Sequence, residues 1–577
     1  MSKKDRFHKT ALFVTLLLGA FFRFYRLDWG EGLFFHPDEN NIASSISQLK
    51  PPDFHPHFFA YGHFPIYWVY LTKQLPNLIN HFSLSPVSFP EAISSLRLWA
   101  AFASTLTIWV VYLIGQRVFN KQYGLLAAIL TSFIPGLIQA SHFGTTESVL
   151  TLLFFTTLYH SLELLKKTPN KKIFLFLAII LGIGLSTKLN ALVFFSFPFI
   201  ALLEANFSLK KIWRQKKLFL LLSISLLGAF LVSFLTSPYQ VLDFSEFWRV
   251  AQYEINVARG KIPVFYTRQF INTQPVIFQL VQIFPFSLNP FMEITGLLGL
   301  FLTLINIIRK RIRKQPEKIL LIWAFASYFT TSGLIFAKWT RFVTPLLPFF
   351  VIFSLEIIEF FENRIQVKFR QQSDSARYQS KKIIIFRNAF IILLITVSFI
   401  YGLAFFSIYL QPDIRITASE WMRDNLPPES KILSEGGNVV DIPLKGNFRV
   451  VNLDFYNLDQ EKVLFDKLFD TLADSQYLLI PSRRIFADHP AGQYPKVACY
   501  YRLLFSDRLG YAKIKEFTSY PSIDMYDWKW EIPDELAEET WSVFDHPVIR
   551  LYKKTLFYSE KKYKDLLNLC LNINFIK

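Results

Sequence analysis

LFLLLSISLLGAFLVSFLT, residues 218–236, is the stretch that decides the fold, because it is almost wholly apolar and carries no charge. Similar runs lie at 10–22, 174–185 and 389–406. A helix needs about 20 apolar residues to cross a bilayer that is roughly 30 Å thick. Of the 577 residues, 52% are hydrophobic. The sequence therefore predicts an α-helical polytopic membrane protein.

Basic residues are concentrated in short segments between the apolar runs. The formal net charge is +18, and a basic chain can indicate nucleic-acid binding. Here every second loop is basic, which is the pattern of cytoplasmic loops in membrane proteins. We therefore expect a cytoplasmic N-terminus and no nucleic-acid partner. The basic loops lie at 166–172, 210–217, 309–314 and 364–382.

The order of apolar runs predicts about 11 transmembrane helices. An odd number of crossings from a cytoplasmic N-terminus leaves the C-terminus outside the cytoplasm, at the cell (plasma or inner) membrane. Residues 1–410 then form the transmembrane domain, with a long outer loop at 28–95. The predicted helices are 8–27, 96–118, 124–141, 148–165, 173–187, 189–205, 218–237, 291–308, 319–337, 342–361 and 383–409.

The composition changes after residue 410, and we predict an extracytoplasmic α/β domain over 411–577. Helix-like segments alternate with short β-type runs, which is typical of a compact α/β fold. Cys499 and Cys570 are the two cysteines of the chain and could form a single disulfide. The helix-like segments are 417–426 and 460–475, and the predicted strands are 448–455, 476–481, 540–544 and 548–554.

The first outer loop contains His36-Pro37-Asp38-Glu39. Proline followed by two acidic residues suits the first turn of a helix, where carboxylates complement the helix dipole. The alternative interpretation is functional. A carboxylate at the membrane surface could act as a general base, removing the proton of an acceptor hydroxyl. Asp38 and Glu39 are therefore the candidate catalytic residues.

Four cations lie at the predicted outer ends of helices, where lysine and arginine should be scarce. They are Arg97, Lys188, Lys338 and Arg341. One interpretation is that they snorkel to the interface as anchors. The other is that they bind a phosphate at the membrane surface, to which arginine offers two parallel hydrogen bonds and lysine a point charge.

A second acidic or acceptor site is predicted from Glu147 and His142, which lie between helices three and four, together with Tyr239 and His63. Glu147 is equally suited to cap the helix that follows it. His63 belongs to a group of three loop histidines with His55 and His57. Their spacing matches no metal-binding motif, and we expect them to be solvated.

These features resemble the GT-C glycosyltransferases, integral-membrane enzymes that use polyprenyl-phosphate-linked sugars. They are most similar to bacterial relatives of protein O-mannosyltransferases and of the lipid A aminoarabinose transferase. The resemblance covers most of 8–410. It is carried, in order, by RLDWGEGLFFHPDENN (26–41), YGHFPIYWVYL (61–71), SLRLWAAF (95–102), ASHFGTTES (140–148), GLSTKLNAL (184–192), SPYQVLDFSEF (237–247) and KWTRFVTPLLP (338–348).

The resemblance implies an inverting transfer in which Asp38 is the catalytic base and Glu39 assists it. The acceptor oxygen attacks the anomeric carbon, and a lipid phosphate leaves. Arg97, Lys188 and Arg341 are the candidates to stabilise the phosphate charge. No nucleotide sugar is implied. No cofactor is certain. Some members use a divalent metal, for which the sequence offers no ligand beyond Asp38.

A different class of function is a transporter, flippase or assembly component for lipid-linked glycans. That alternative predicts acidic or basic residues deep within the helices, and the apolar runs contain few. For the transferase, the sugar stays open, and the hydroxyl acceptor is a protein, a lipid or a cell-envelope glycan. The role of the C-terminal domain is open as well.

Overall fold

The computed structural model describes residues 3–81, 84–166, 169–205, 212–309, 315–370, 374–436 and 441–574. Parts of the predicted basic loops, at 167–168, 210–211, 310–314 and 371–373, lie outside these ranges. The chain divides into two compact units. The first comprises Met1–Leu27, Asp38–Ile255 and Pro275–Phe406, and the second Asp28–Pro37, Asn256–Gln274 and Ser407–Lys577. Two segments from within the predicted transmembrane domain thus group with the C-terminal unit.

The first unit is built from helices joined by loops. Its α-helices are Lys3–Phe24, Pro37–Gln48, Phe64–His81, Phe89–Val118, Lys121–Ser132, Pro135–His142, Glu147–Leu164, Lys172–Leu185, Ser196–Ala205, Ile212–Thr236, Tyr239–Leu242, Phe244–Ala258, Phe284–Ser287, Pro290–Arg309, Pro316–Ser332, Thr340–Val343, Leu347–Arg370 and Asp374–Phe406. Leu189–Phe195 and Thr344–Leu346 are 3₁₀-helices, and Gln279–Ile283 is a π-helix.

Each of the 11 predicted segments contains helical residues, although fewer helices are long enough to cross a membrane by length and composition. In the described part of the chain six helices meet that condition, or seven if one bent pair counts as a single span. The bent pair, Lys121–Ser132 and Pro135–His142, turns by 59°. Proline suits the first turn of a helix but cannot continue the preceding one. The fold class is confirmed and the helix count is not.

The helix that begins at Leu347 differs from its prediction at 342–361. Pro345 lies in the 3₁₀-helix Thr344–Leu346, and Pro348 lies in the first turn of the α-helix. Proline is tolerated in a first turn because the amide it lacks would have no partner there. The helix therefore starts later than predicted and continues to Arg370.

Charged residues are buried between the helices, although the apolar runs had suggested few. Arg23 is fully buried, and its guanidinium donates to Ser104 Oγ at 2.8 Å and to the carbonyl of Ser132 at 3.1 Å. Lys318 donates to Glu356 and Glu359, at 2.7 and 2.6 Å. Such partners offset the cost of removing a charge from water.

The second unit contains a mixed five-stranded sheet. Its strands are β1 (Lys431–Gly436), β2 (Arg449–Asp454), β3 (Tyr477–Ile480), β4 (Tyr511–Phe517) and β7 (Ile549–Lys554), with β5 (Ser522–Met525) and β6 (Trp528–Glu531) forming a separate hairpin. The sheet order is β2-β1-β3-β7-β4. β1 runs parallel to β2 and β3, whereas β7 is antiparallel to β3 and β4. The predicted C-terminal α/β region is confirmed.

Helices cover this sheet and are tied together by a disulfide between Cys499 and Cys570. The bond joins the helices Pro495–Phe505 and Glu560–Asn574, which share one buried apolar cluster. The other α-helices of the unit are Ile414–Asn425, Lys462–Asp474, Arg484–Asp488 and Glu539–Ser542, and its 3₁₀-helices are Phe265–Phe270 and Ser407–Leu410.

The predicted strand at 540–544 is wrong, because Glu539–Ser542 forms a short helix. Glu538 precedes it and accepts a hydrogen bond from the backbone N–H of Thr540 at 3.1 Å. A side-chain acceptor of this kind satisfies an amide that the first helical turn leaves free. The Trp541 indole donates to Asp534 at 2.9 Å. Capping and side-chain contacts outweigh the β preference of the local sequence.

Candidate active site

Asp38 and Glu39 lie in the first turn of the Pro37–Gln48 helix, as the structural interpretation of the motif predicts. Consecutive helical residues point in different directions, and the two carboxylates have different surroundings. The Asp38 side chain keeps 18% of its surface exposed, whereas Glu39 is fully buried. Only Asp38 is therefore accessible to a substrate.

Glu39 is held by Arg97 and by a backbone amide. Arg97 donates from Nη2 to Glu39 Oε2 at 2.8 Å and from Nε to Oε1 at 3.1 Å. The N–H of Gly144 donates to the same carboxylate. Arg97 is itself buried and also donates to the carbonyl of Leu27 at 2.9 Å. A bidentate pair of this kind fixes orientation, so Glu39 joins three segments of the first unit.

Gly144 allows this approach. A Cβ built at residue 144 would lie 2.6 Å from Leu96 Cβ, which is closer than carbon atoms can pack. The glycine therefore lets the chain after the Pro135–His142 helix pass against the Phe89–Val118 helix. This close approach brings the amide of Gly144 to the Glu39 carboxylate.

Asp38 forms an ion pair with Arg341, which lies in the short Thr340–Val343 helix. Both side chains are partly exposed. The Arg341 guanidinium lies over the Trp339 ring at 4.7 Å, within the range of a cation–π contact. The tryptophan thus helps to hold the guanidinium against the accessible carboxylate.

Glu147 and Lys188 form a second pair nearby. Lys188 Nζ donates to Glu147 Oε1 at 2.8 Å, and both side chains are largely buried. Glu147 is the first residue of the Glu147–Leu164 helix, but Thr146 is the N-cap, so Glu147 is not the capping residue that the alternative interpretation predicts. Lys188 lies 5.5 Å from the Phe342 ring, and Arg341 lies 5.9 Å from the same ring. The two cations therefore flank one aromatic side chain.

Tyr61 and Glu254 belong to the same site, and sequence reasoning missed both. Lys188 Nζ lies 5.3 Å from the Tyr61 ring. Burial, and next the Asp38 carboxylate, raise the pKa of the Tyr61 phenol. Burial also raises the pKa of Glu254, as does Asp38, while Arg341 lowers it. The available signals were the stretch around 61–71 and the amphipathic pattern of the Phe244–Ala258 helix.

Lys338 has different neighbours from the other three cations. It is buried, donates to the carbonyl of Phe336 at 2.7 Å, and lies 5.9 Å from the Phe278 ring. Burial lowers the pKa of Lys338 to about 8. The structure thus groups Arg97, Lys188 and Arg341 by their carboxylate partners and places Lys338 among aromatic rings. Burial of Arg97 and Lys188 does not fit snorkelling at an interface.

His142 lies with both ring nitrogens near main-chain oxygens. Nδ1 is 2.8 Å from the carbonyl of Ile138, and Nε2 is 3.0 Å from that of Tyr25. The ring is fully buried. This arrangement ties the end of the Pro135–His142 helix to the chain that follows the first helix. It is the environment of a histidine that supports structure.

His63 and Tyr239 lie close to the other two loop histidines, His55 and His57. His63 is buried, which corrects the expectation that it is solvated, and Nε2 lies 3.0 Å from the carbonyl of Phe58. Burial lowers the pKa of His63 to about 4. The Tyr239 ring packs on His55 at 4.4 Å. His55 lies 3.4 Å from Asp243, and His57 is exposed.

A divalent metal would need several oxygen or nitrogen ligands that converge on one point. Within the described ranges, no three histidine, cysteine, aspartate or glutamate side chains come together in this way. The carboxylates of Asp38, Glu39 and Glu147 each face a cation instead. The described residues therefore do not fit a preformed metal centre, and we derive no step through one.

One family model matches part of this chain. The sequence model described as dolichyl-phosphate-mannose-protein mannosyltransferase matches residues 88–234. The matched segment contains Arg97, Glu147 and Lys188. No curated protein matches the sequence significantly.

Solved structures resemble the fold at low sequence identity. The archaeal oligosaccharyltransferase AglB from Archaeoglobus fulgidus, in complex with an inhibitory peptide and a dolichol-phosphate, has a TM-score of 0.50 at 13% identity, over 94% of this chain and 78% of that chain. The apo oligosaccharyltransferase of that organism scores 0.49 at 14% identity, over 85% and 72%. ArnT from Cupriavidus metallidurans in the apo state scores 0.44 at 14% identity, over 95% and 97%.

The family match and the shared fold confirm the predicted resemblance to the GT-C superfamily of membrane glycosyltransferases. The matched family is that of the protein mannosyltransferases, and the match spans the helices between Ser88 and Phe234.

Proposed function

We propose that this protein transfers a sugar, with inversion, from a polyprenyl-phosphate-linked donor to a hydroxyl acceptor on the outer face of the membrane. The observation that carries the proposal is the accessible Asp38 carboxylate, paired with Arg341 beside the Glu147–Lys188 pair. A base and two cations are the groups that such a transfer needs. The acceptor is a hydroxyl of a protein, a lipid or a cell-envelope glycan.

The proposal of a lipid-linked donor is supported by the lipid phosphates associated with the similar proteins. The family model describes enzymes of dolichyl-phosphate-mannose, and the AglB structure contains a dolichol-phosphate. Dolichyl-phosphate-mannose and dolichol-phosphate both consist of a polyprenyl chain joined to a phosphate, and the first also carries a sugar. A chain that shares this fold and lies largely within the membrane is suited to a donor with an apolar tail.

In the proposed reaction, Asp38 accepts the proton of the acceptor hydroxyl as its oxygen attacks the anomeric carbon. The bond between that carbon and the phosphate oxygen breaks, and the lipid phosphate leaves with one more negative charge. Arg341 and Lys188 stabilise this developing charge. A preorganised cation is most effective where water is excluded, and Lys188 is only 13% exposed.

The Asp38–Arg341 pair suggests how donor binding prepares the base. In the structure the guanidinium neutralises the carboxylate that must accept a proton. A donor phosphate competes for the same guanidinium, because arginine binds phosphate and carboxylate with the same geometry. Transfer of Arg341 to the phosphate would release the Asp38 carboxylate to accept the proton of the hydroxyl. Glu39, buried against Arg97, acts as a positioning residue.

The test compares Asp38→Asn with the matched control Asp53→Asn in purified protein reconstituted with a radiolabelled polyprenyl-phosphate sugar. Asp53 lies in the same outer loop and is 69% exposed. We expect Asp38→Asn to lower the release of polyprenyl phosphate by about 10²–10⁴-fold, and Asp53→Asn to leave it near normal. Near-normal turnover by Asp38→Asn would exclude Asp38 as the base.

A transporter or flippase for lipid-linked glycans is the second candidate. The observation in its favour is the buried pair of Lys318 and Glu356, to which the partly exposed Glu359 is joined, since buried charges mark transport pathways in membranes. Its test is translocation of a labelled lipid-linked sugar in proteoliposomes. Translocation without transfer or hydrolysis, unaffected by Asp38→Asn, would favour transport over catalysis.

A further inference from the structure

A cavity of about 530 Å³ lies within the C-terminal unit, on one face of the sheet. Its volume falls in the range of sites that hold a small ligand. Strands β4 and β7 and the helices Arg484–Asp488 and Pro495–Phe505 contribute its walls. No role for this unit follows from the proposed transfer reaction, so the cavity requires an explanation of its own.

The cavity is lined by equal numbers of positively and negatively charged side chains. Three are cations and three are carboxylates: Arg483, Lys513 and Arg550 face Asp507, Glu516 and Glu535. Arg550 donates to Glu516 at 3.0 Å and to Glu535 at 2.5 Å, and Lys513 donates to Glu516 at 2.8 Å. Because the lining is balanced, it gives no electrostatic preference for an anion or a cation.

Aromatic and apolar side chains flank these charges. Phe505 is 46% exposed and meets Phe486 edge to face, with 5.5 Å between the ring centroids. Leu536 is exposed, and Tyr552 lines the interior. Apolar surface that stays in contact with water beside hydrogen-bonding groups is a feature of ligand sites.

A bulge in β4 places two of the charged groups on this face. Tyr552 and Arg550 are two apart on β7 and so point to the same side. Their partners across the strand pair, Lys513 and Glu516, are three apart on β4. Side chains at that spacing would point to opposite sides of a regular strand. The register shift after Lys513 adds the residue that aligns them.

We propose that this cavity binds a neutral saccharide. The rim of a sugar ring carries hydroxyls, each of which donates and accepts hydrogen bonds, and ion-paired carboxylates and cations offer both kinds of partner. Its C–H face is apolar and packs on an aromatic ring, whose face is electron-rich. An uncharged ligand matches the balanced lining. The binding requires no transfer chemistry, so it is independent of the proposed enzymatic function.

The experiment is saturation-transfer NMR on the full-length protein in detergent. The probes are the methyl glycosides of glucose, galactose and mannose, with methyl glucuronide as the anionic probe and a serine-containing heptapeptide as the peptide probe. We expect at least one neutral glycoside to bind and the glucuronide and peptide to bind at least about tenfold more weakly. Preference for either of those two probes would overturn the proposal.

Variants locate the binding. Phe505→Ala removes an exposed ring and should weaken neutral glycoside binding at least about tenfold, and Lys513→Ala should weaken it about threefold. Lys513 is exposed, so that change tests the cavity even if Phe505→Ala disturbs folding. The matched control is Phe557→Ala, an exposed phenylalanine of the same unit that does not line the cavity. Absence of glycoside binding in the wild type, or binding that survives both cavity variants, would refute the assignment.

Discussion

Arg341 and Asp38, 303 positions apart in the sequence, form an ion pair in which both side chains remain partly exposed. Glu39, the next residue, forms a pair with Arg97 that is fully buried. Two adjacent carboxylates thus meet two distant arginines in opposite environments. A pair open to solvent can exchange partners when a substrate arrives, whereas a buried pair is costly to break.

Arg341 should contribute mainly to stabilisation of the transition state. We expect Arg341→Ala to lower kcat/KM for the lipid-linked donor by about 10²–10³-fold, the usual effect of removing one preorganised donor. Arg341→Lys should retain part of the activity, because lysine keeps the charge without the planar fork. Steady-state kinetics with Arg249→Ala, an exposed arginine of the same unit, is the comparison. Unchanged kcat/KM in Arg341→Ala would contradict the assignment.

Glu39 should matter for stability. Glu39→Gln leaves the buried Arg97 without its anion, which typically costs about 3–5 kcal/mol, so Tm in detergent should fall clearly. The double variant Glu39→Gln/Arg97→Gln should lose less than the sum of the single variants. The control is Glu246→Gln, which removes one partner of an exposed pair and should change Tm little. Equal Tm values for Glu39→Gln and the control would show that the buried pair does not support the fold.

Glu254 should tune the pH dependence of the reaction. Burial is the largest cause of the raised pKa of Glu254, and the Asp38 carboxylate raises that pKa further. Glu254→Gln removes a negative charge that interacts with Asp38, and a like charge beside a carboxylate favours its protonated form. The acid limb of the pH profile of kcat/KM should move to lower pH. Glu246→Gln, on the same helix, should leave it in place, and a shift to higher pH in Glu254→Gln would contradict this electrostatic link.

His546 should make the C-terminal unit less stable at alkaline pH. Burial alone would lower the pKa of its ring, but Asp545 and Asp534, at 2.5 and 2.8 Å, outweigh burial and raise it to about 10. The folded chain then holds a proton that the unfolded chain loses above about pH 6.5. This contribution is complete below pH 6.5 and is lost as the pH rises through about 10.

The measurement is Tm of the full-length protein between pH 6 and 10. We expect His546→Asn to lower Tm near neutral pH and to flatten its decline towards alkaline pH. His57→Asn, a change at an exposed histidine, should behave like the wild type. A decline that is equally steep in His546→Asn would assign the pH dependence to other groups.

Local sequence was sufficient where the cause of the structure is local. Each of the 11 predicted apolar segments contains helical residues, since helix formation there follows from composition over a few turns. The helix start at Pro37 followed from the residue order of one turn. The strand predicted at 540–544 is wrong because part of its cause is not local. Asp534, several residues before it, accepts a hydrogen bond from the Trp541 indole and helps to hold the short helix.

The sequence by itself determined the membrane-protein class, the helical segments, the α/β region and Asp38 as the candidate base, because hydropathy, charge and residue order act over short distances. Tertiary structure decided which cation meets which carboxylate: Arg97 with Glu39, Lys188 with Glu147, and Arg341 with Asp38. It also placed Lys338 beside the Phe336 carbonyl and the Phe278 ring, and brought Tyr61 and Glu254 to the site. Such pairs join residues far apart in the chain, and only the packing of helices sets the distance between them.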